Sequence, residues 1–139
     1  STIMLTLDEE MEFVNSYVYM LELRLHEKLT FIIDIDEKYL RHYIVPMTLQ
    51  ILIENAVKHN VASGKMPLKI HMYTDENDYI VVRNRLQRKR TTRFSSGIGL
   101  ENIRSRYRFI VDKQVEVVET ENHFTVRVPL IERYEDINS

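Results

Sequence analysis

Two segments of the chain carry residue types that could hold a nucleotide. In the first, the amide oxygen of Asn55 could coordinate a metal ion, and Lys58 lies one helical turn further along. Magnesium in nucleotide sites takes one or two protein oxygens beside the phosphate oxygens, so one asparagine can be the whole protein contribution. In the second, Gly97 and Gly99 precede a helix whose free amides could bind phosphate. The two segments together predict a metal and phosphate site.

Plainer explanations of these residues stay open. An asparagine or a lysine on a helix is usually only solvated, and a Gly-x-Gly pair can be an ordinary junction between a loop and a helix. The chain has only three glycines, and two of them lie in this pair. That placement favours a phosphate-binding turn over an ordinary junction.

A run of basic residues lies between the two segments. It could form a flap over phosphates, or it could be a solvated run of charge. Nucleic acid is not a predicted partner, because Phe94 is the only aromatic residue of the run and the formal net charge of the chain is -2. The basic residues are Arg83, Arg85, Arg88, Lys89, Arg90 and Arg93.

The hydrophobic periodicity predicts the elements that position these residues. Thr6 and Glu9 have the spacing of a capping box at the start of the first helix. Pro46 suits the first turn of the second helix, whose apolar stripe leaves Asn55 and Lys58 on an exposed flank. The first helix is predicted at residues 7–27, the third from residue 99, a loop at 86–96, and strands at 29–35, 68–74, 79–83, 114–119 and 124–130.

This order of elements predicts an α+β fold, a two-layer sandwich of a mixed sheet with helices on one face. The first helix has apolar residues at steps of three and four, which is the spacing of a seam between helices. The seam could pack on the core of this domain, or it could form a dimer or hairpin contact. Its residues are Met11, Val14, Val18, Leu21 and Leu25.

The composition fits one globular domain and excludes several chemistries. A chain of 139 residues with 44% hydrophobic content can bury about two-thirds of its unfolded surface. The absence of cysteine excludes disulfides, thiolate catalysis and cysteine-ligated zinc. The five histidines form no pair at metal-ligand spacing, and no apolar run approaches the about 18 residues of a membrane helix. We expect a cytoplasmic piece of a longer protein, which could itself be membrane-anchored.

Two stretches resemble known motifs. Residues 54–59 resemble the N box of LytS-like sensor histidine kinases, and residues 96–103 resemble their second glycine box. These kinases are members of the GHKL ATPase superfamily. Residues 7–10 are similar to the helix before the catalytic domain, and residues 45–50 to the segment before the N box. The resemblance covers nearly the whole chain.

The resemblance implies the Bergerat fold of the GHKL superfamily, in which ATP and Mg²⁺ bind beneath a mobile lid. It implies that residues 29–139 form the ATP-binding catalytic domain and that residues 1–28 lead out of a dimerisation region. The implied enzyme is a histidine protein kinase, which donates the γ-phosphoryl group of ATP to a histidine on a helical dimer. The implied partners are this phosphoacceptor helix, a response regulator and a second copy in a homodimer.

The resemblance also assigns the site residues. Glu54 and Asn55 are implied as the catalytic residues, with Asn55 as the Mg²⁺ ligand and Lys58 facing the phosphates. Residues 86–96 would form the lid. Phosphoryl transfer of this kind depends mainly on positioning and charge neutralisation. The residues implied to bind the nucleotide are Asn55, Lys58, His59, Asn84, Ser96, Gly97, Ile98, Gly99 and Leu100.

Two departures from the family pattern change these expectations. The family places an aspartate-led glycine box after the strand hairpin, where the carboxylate binds the adenine amino group, but this chain has Asn84 there. Because a neutral acceptor forms a weaker hydrogen bond than a charged one, we expect weaker or less adenine-selective binding of ATP. The phosphoacceptor segment is not in this chain either, so we expect it to bind nucleotide without phosphorylating itself.

Two other functions stay open. One is a regulatory or dimerisation module with impaired nucleotide binding, and the other is a GHKL serine kinase of the anti-sigma type. Tight, magnesium-dependent binding of ATP would favour a kinase over the module. A His-Phe box upstream of this chain would separate a histidine kinase from a serine kinase.

Overall fold

The structure, a computed structural model, describes residues 3–89 and 98–132, without the side chain of Ile98. None of the helices within these ranges has the length and apolar composition that crossing a bilayer requires. The helices are α1 (Leu7–Leu25), α2 (Thr48–His59) and α3 (Ile98–Ile110), with short 3-10 helices at His26–Lys28 and Glu37–Tyr39. The strands are β1 (Leu5–Thr6), β2 (Leu29–Asp34), β3 (Tyr43–Ile44), β4 (Leu68–Thr74), β5 (Tyr79–Arg85), β6 (Glu116–Glu119) and β7 (His123–Pro129).

Five strands form a mixed sheet in the order β2-β4-β5-β7-β6. β2 and β4 are parallel, and the other neighbours are antiparallel. Because side chains alternate along a strand, one face of the sheet carries buried residues such as Ile70, Met72 and Ile80. The helices pack on that face and share one core with it. The predicted α+β fold with a mixed sheet is therefore confirmed.

The seam of α1 packs on the core of this domain. Met11, Val14, Val18 and Leu21 are buried in the same cluster as the sheet residues, and Leu25 packs against it partly buried. Of the two contacts that the spacing allowed, the seam therefore makes the core contact. This packing does not test the division of the chain at residue 28, which stays a prediction.

The capping box at the start of α1 is confirmed. Thr6 Oγ1 accepts a hydrogen bond from Glu9 N at 3.2 Å, and Glu9 Oε1 accepts one from Thr6 N at 2.9 Å. α1 ends at Leu25 rather than at residue 27, because His26 has a φ of 49°, which an α-helix cannot continue.

α2 begins at Thr48 and not at Pro46, because Met47 has a left-handed backbone with a φ of 72°. The side chain that caps α2 comes from α1. Glu10 Oε1 accepts from Met47 N at 3.1 Å, and Glu10 Oε2 accepts from Leu49 N at 3.2 Å. Since Glu10 is only 2% exposed, a buried carboxyl group joins the two helices.

α3 also fixes the start of α2. The hydroxyl of the fully buried Tyr107 accepts from Val45 N at 3.1 Å and lies 3.3 Å from Thr48 Oγ1. Thr48 Oγ1 donates its own proton to Val45 O at 2.7 Å, so the Tyr107 hydroxyl donates to Thr48. The first turn of α2 is thus held by side chains from both neighbouring helices.

Replacing Tyr107 with phenylalanine should lower the free energy of unfolding by about 1–2 kcal/mol, because the buried Val45 amide loses its acceptor. Urea denaturation measures this change. The matched control is Tyr19→Phe, which alters an exposed hydroxyl on α1 and should shift stability by less than about 0.5 kcal/mol. Equal stability of the Tyr107→Phe variant and the wild type would contradict this role.

Two features of the strands differ from the sequence prediction. β1 and β3 pair with each other over two residues each, a length too short to show hydrophobic alternation. β5 extends to Arg85, so Arg83 and Arg85 belong to a strand and not to a basic loop. Both are exposed on the face of the sheet opposite to Asn84, so neither forms part of a flap on the helical side.

Candidate functional site

α2 and α3 come together at the two segments that the sequence indicated. Gly99 lies in the first turn of α3, and a Cβ atom added to it would be 3.2 Å from Ile51 Cγ2 and 3.8 Å from Asn55 Oδ1. The Asn55 amide is therefore beside the start of α3, where the first helix amides have no partner within the helix. An asparagine oxygen and free backbone donors thus face the same space.

The predicted glycine turn is corrected in part. α3 begins at Ile98, so Gly99 is inside the helix rather than in the turn before it. Its missing side chain allows α3 to approach α2 closely, which is a packing role. Ser96 and Gly97 lie outside the described residues, as does the side chain of Ile98.

A cavity of about 240 Å³ lies between α2, the first turn of α3 and the ends of β5, β6 and β7. Four of the residues that the sequence assigned to nucleotide binding line it: Asn55, His59, Asn84 and Leu100. The cavity therefore combines several polar groups with a mostly apolar wall, as ligand sites do. The apolar wall also includes Leu52, Ala56, Val82, Leu86, Phe124 and Val126.

Glu54 and Lys58 do not line this cavity. Both are exposed on α2. Burial raises the pKa of Tyr17 on α1, and the charge of Glu54 raises it further. The roles of Glu54 and Lys58 stay predictions, and each would have to act on groups outside the cavity.

Asn84 is buried at the floor of the cavity, with 3% of its surface exposed. Its Nδ2 donates to the carbonyl oxygen of Arg85 at 2.8 Å. The described residues place no donor on its Oδ1, which leaves an acceptor for a ligand. An ionised aspartate at this position has no donor, so its oxygen would repel the Arg85 carbonyl oxygen. The amide of Asn84 is therefore what allows this hydrogen bond.

His59 is the last residue of α2. Burial lowers its pKa first, and the charges of Lys58, Lys89 and Arg88 lower it further. Its Nδ1 is buried and has no hydrogen-bond partner among the described residues. This nitrogen is therefore a polar atom of the cavity wall that a ligand could satisfy.

The segment 86–89, predicted as the start of a flexible lid, forms hydrogen bonds with two separate parts of the chain. Gln87 N donates to Asn60 Oδ1 at 2.8 Å, and Val61 N donates to Gln87 O at 2.7 Å. On the other side, Leu86 N donates to Asn122 O at 2.8 Å. We name residues 86–89 the strap. The role of residues 86–96 as a lid stays a prediction, and residues 90–96 lie outside the described residues.

Sequence reasoning missed two polar residues of the cavity wall, Asn60 and Glu119, and it named a third, Arg88, only as a member of the basic run. Asn60 is buried, and its Nδ2 donates to Ala56 O at 2.9 Å while its Oδ1 holds the strap. A helix-terminal asparagine directly after an apolar stripe was the available signal for Asn60. Arg88 and Glu119 come from distant parts of the chain, and no local pattern links them.

Several solved structures have this fold. The catalytic domain of histidine kinase ThkA is similar at a TM-score of 0.61 and 17% identity, covering 96% of this chain and 99% of that chain. The cytoplasmic segment of histidine kinase QseC is similar at 0.63 and 14% identity, covering 96% and 80%. Full-length ShkA in complex with AMPPNP is similar at 0.56 and 14% identity, covering 96% and 32%.

Sequence comparison adds no relative. No protein-family model matches the chain, and no curated protein matches it significantly. At identities of 14% and 17% the similarity to solved structures establishes the fold alone. The chain therefore has the fold of the catalytic domains of histidine kinases.

Proposed function

We propose that this chain is the ATP-binding catalytic domain of a LytS-like sensor histidine kinase. It would donate the γ-phosphoryl group of ATP to a histidine on a dimerisation helix outside the chain. The observation that carries the proposal is the position of the Asn55 amide beside the first turn of α3, at a cavity that also contains Asn84. The same fold in ShkA, recorded with AMPPNP, adds support.

The cavity suits the nucleoside part of ATP. Its volume of about 240 Å³ is below the roughly 300–1,000 Å³ of typical ligand pockets, so the phosphates would extend out of it. Leu52, Ala56 and Phe124 offer apolar surface to a flat base. Asn84 Oδ1 is available to accept a hydrogen bond from the adenine amino group.

The residues at the outer side of the cavity fit a metal-chelated phosphate chain. Within the described ranges, no three His, Cys, Asp or Glu side chains come together as a metal site. The single oxygen of Asn55 still fits Mg²⁺, which takes most of its ligands from water and phosphate. Lys58, one turn along α2, can add positive charge near the phosphates.

Transfer of the γ-phosphoryl group requires little covalent chemistry from the protein. A bound Mg²⁺ would neutralise charge on the phosphates, and the chain would hold them in line with the incoming histidine. Glu54 is exposed next to Asn55, where it can act on a histidine that approaches from solvent. The phosphoacceptor helix, a response regulator and a second copy are the partners we propose in the cytoplasm, with the parent protein anchored or free.

Calorimetry with AMPPNP on the purified chain tests the proposal. We expect binding at one site per chain, tighter with Mg²⁺ than with EDTA. Binding of AMPPNP with no dependence on Mg²⁺, or no binding at all, would favour the non-enzymatic regulatory module. Transfer of label from ATP to a serine of a partner protein would instead favour the serine kinase.

Replacing Asn84 with alanine should weaken ATP binding about fivefold and leave GTP binding unchanged, because one neutral hydrogen bond to the adenine amino group, about 1 kcal/mol, is lost. Competition titration against a fluorescent nucleotide measures both affinities. The control is Arg83→Gln on the same strand but the opposite face, which should change neither. An unchanged ratio of ATP to GTP affinity in the Asn84→Ala variant would remove Asn84 from the base site.

A further inference from the structure

The polar residues of the cavity wall differ in which hydrogen-bond donors and acceptors remain available to a ligand. The side-chain amide of Asn60 already donates to a backbone carbonyl and accepts from a backbone amide. Asn84 donates from Nδ2 to a backbone carbonyl, and its Oδ1 remains as a neutral acceptor. Among the described residues that line the cavity, Glu119 is the only acid. Glu119 therefore brings a charged acceptor, which neither Asn60 nor Asn84 can supply.

Three strands place Glu119 in line with Asn84. Phe124 on β7 pairs with Asn84 on β5 on one side and with Glu119 on β6 on the other. Directly paired residues of antiparallel strands share a face, so all three side chains point to the helical side. The two outer Cα atoms are two strand spacings apart, or about 10 Å. That separation spans a base and its sugar, not a single amino group.

Arg88 of the strap balances the charge of Glu119. Arg88 Nη2 lies 2.5 Å from Glu119 Oε1, and the two side chains are 60% and 50% exposed. An unpaired carboxylate at this position would repel the phosphates of a nucleotide. A half-exposed ion pair contributes little to folding, so its replacement leaves the fold intact. The pair therefore presents a charge-balanced carboxylate at the mouth of the cavity.

We propose that Glu119 accepts a hydrogen bond from a ribose hydroxyl of the bound nucleotide, an inference that rests on the proposed function. With the base amino group at Asn84, a sugar directed toward β6 would bring its hydroxyls within reach of Glu119. A carboxylate is the side chain that binds ribose hydroxyls in other nucleotide folds. Glu119 thus selects ribonucleotides over deoxyribonucleotides, and it supplies the charged acceptor that Asn84 cannot.

The test is a comparison of ATP with 2′-deoxyATP and 3′-deoxyATP, each with Mg²⁺, on the wild type and on Glu119→Gln. We expect the wild type to bind ATP at least about tenfold more tightly than one of the deoxy analogues, which corresponds to about 1.4 kcal/mol. The Glu119→Gln variant keeps only a neutral acceptor, so its preference for ATP should fall to about fivefold or less. The matched control is Glu116→Gln, on the same strand and also paired with an arginine, but on the opposite face of the sheet.

The outcomes separate this inference from the proposed function. No binding of ATP by the folded wild type would overturn both. Binding of ATP with the same preference for ribose in the wild type and in Glu119→Gln would overturn this inference alone. An equal loss of affinity for all three nucleotides in Glu119→Gln would also overturn it, because a merely structural role predicts that pattern. Thermal melts of each variant confirm folding before the titrations.

Discussion

The Asn55→Ala variant should bind AMPPNP at least about tenfold more weakly than the wild type when Mg²⁺ is present. Hydrogen bonds and contacts to charged groups contribute about 1.5–3 kcal/mol, and the variant loses the oxygen that we assign to the metal. Without Mg²⁺, both proteins should bind the analogue equally weakly. Calorimetry with Mg²⁺ and with EDTA gives the four affinities that this prediction requires.

Two controls make the Asn55 result specific. Asn15→Ala changes an exposed asparagine on α1, far from the cavity, and should leave all four affinities as they are. Because Asn55 also contacts Gly99, a thermal melt must show that Asn55→Ala is still folded. Full dependence on Mg²⁺ in the folded variant would mean that another residue holds the metal.

The Glu10→Ala variant should lose about 3 kcal/mol of unfolding free energy, the largest effect on stability that we expect. Each of the amides of Met47 and Leu49 would lose its acceptor, at about 1–3 kcal/mol for a buried donor. Burial raises the pKa of Glu10, and the two amide donors oppose that rise. Urea denaturation at pH 7 measures the loss.

Two further variants test this prediction: Glu10→Gln as an intermediate case and Glu12→Ala as a control. The glutamine keeps one acceptor but turns an NH₂ group toward the second amide, so its loss should be intermediate. Glu12 is exposed on the same helix, and its replacement should cost less than about 0.5 kcal/mol. If all three variants were equally stable, the carboxyl of Glu10 would have no capping role.

Local patterns in the sequence predicted the features of the fold that local interactions determine. The capping box at Thr6 and Glu9 joins residues three positions apart, and it forms as expected. The cap of α2 could not be found in this way, because Glu10 is 37 residues away from Met47 in sequence. The sequence around Pro46 suggested an ordinary helix start instead.

The candidate site divides in the same way. Asn55 and Gly99 were found because each belongs to a recognisable local motif, and the structure places them side by side. Glu119 was missed because its place in the cavity wall depends on the register of three strands. The absence of periodicity predicts a loop at the strap, but it cannot predict the hydrogen bonds that hold this loop, because their partners include residues 59–61 and Asn122.

The buried carboxyl of Glu10 couples the position of α1 to that of α2. A slide of α1 by one helical turn, about 5.4 Å, would carry its carboxylate out of reach of the amides at Met47 and Leu49. The helix that bears Asn55 would then be held at its start only by Tyr107 of α3 and no longer by α1. A displacement of α1 would thereby alter the position of Asn55, although no residue of α1 lines the cavity.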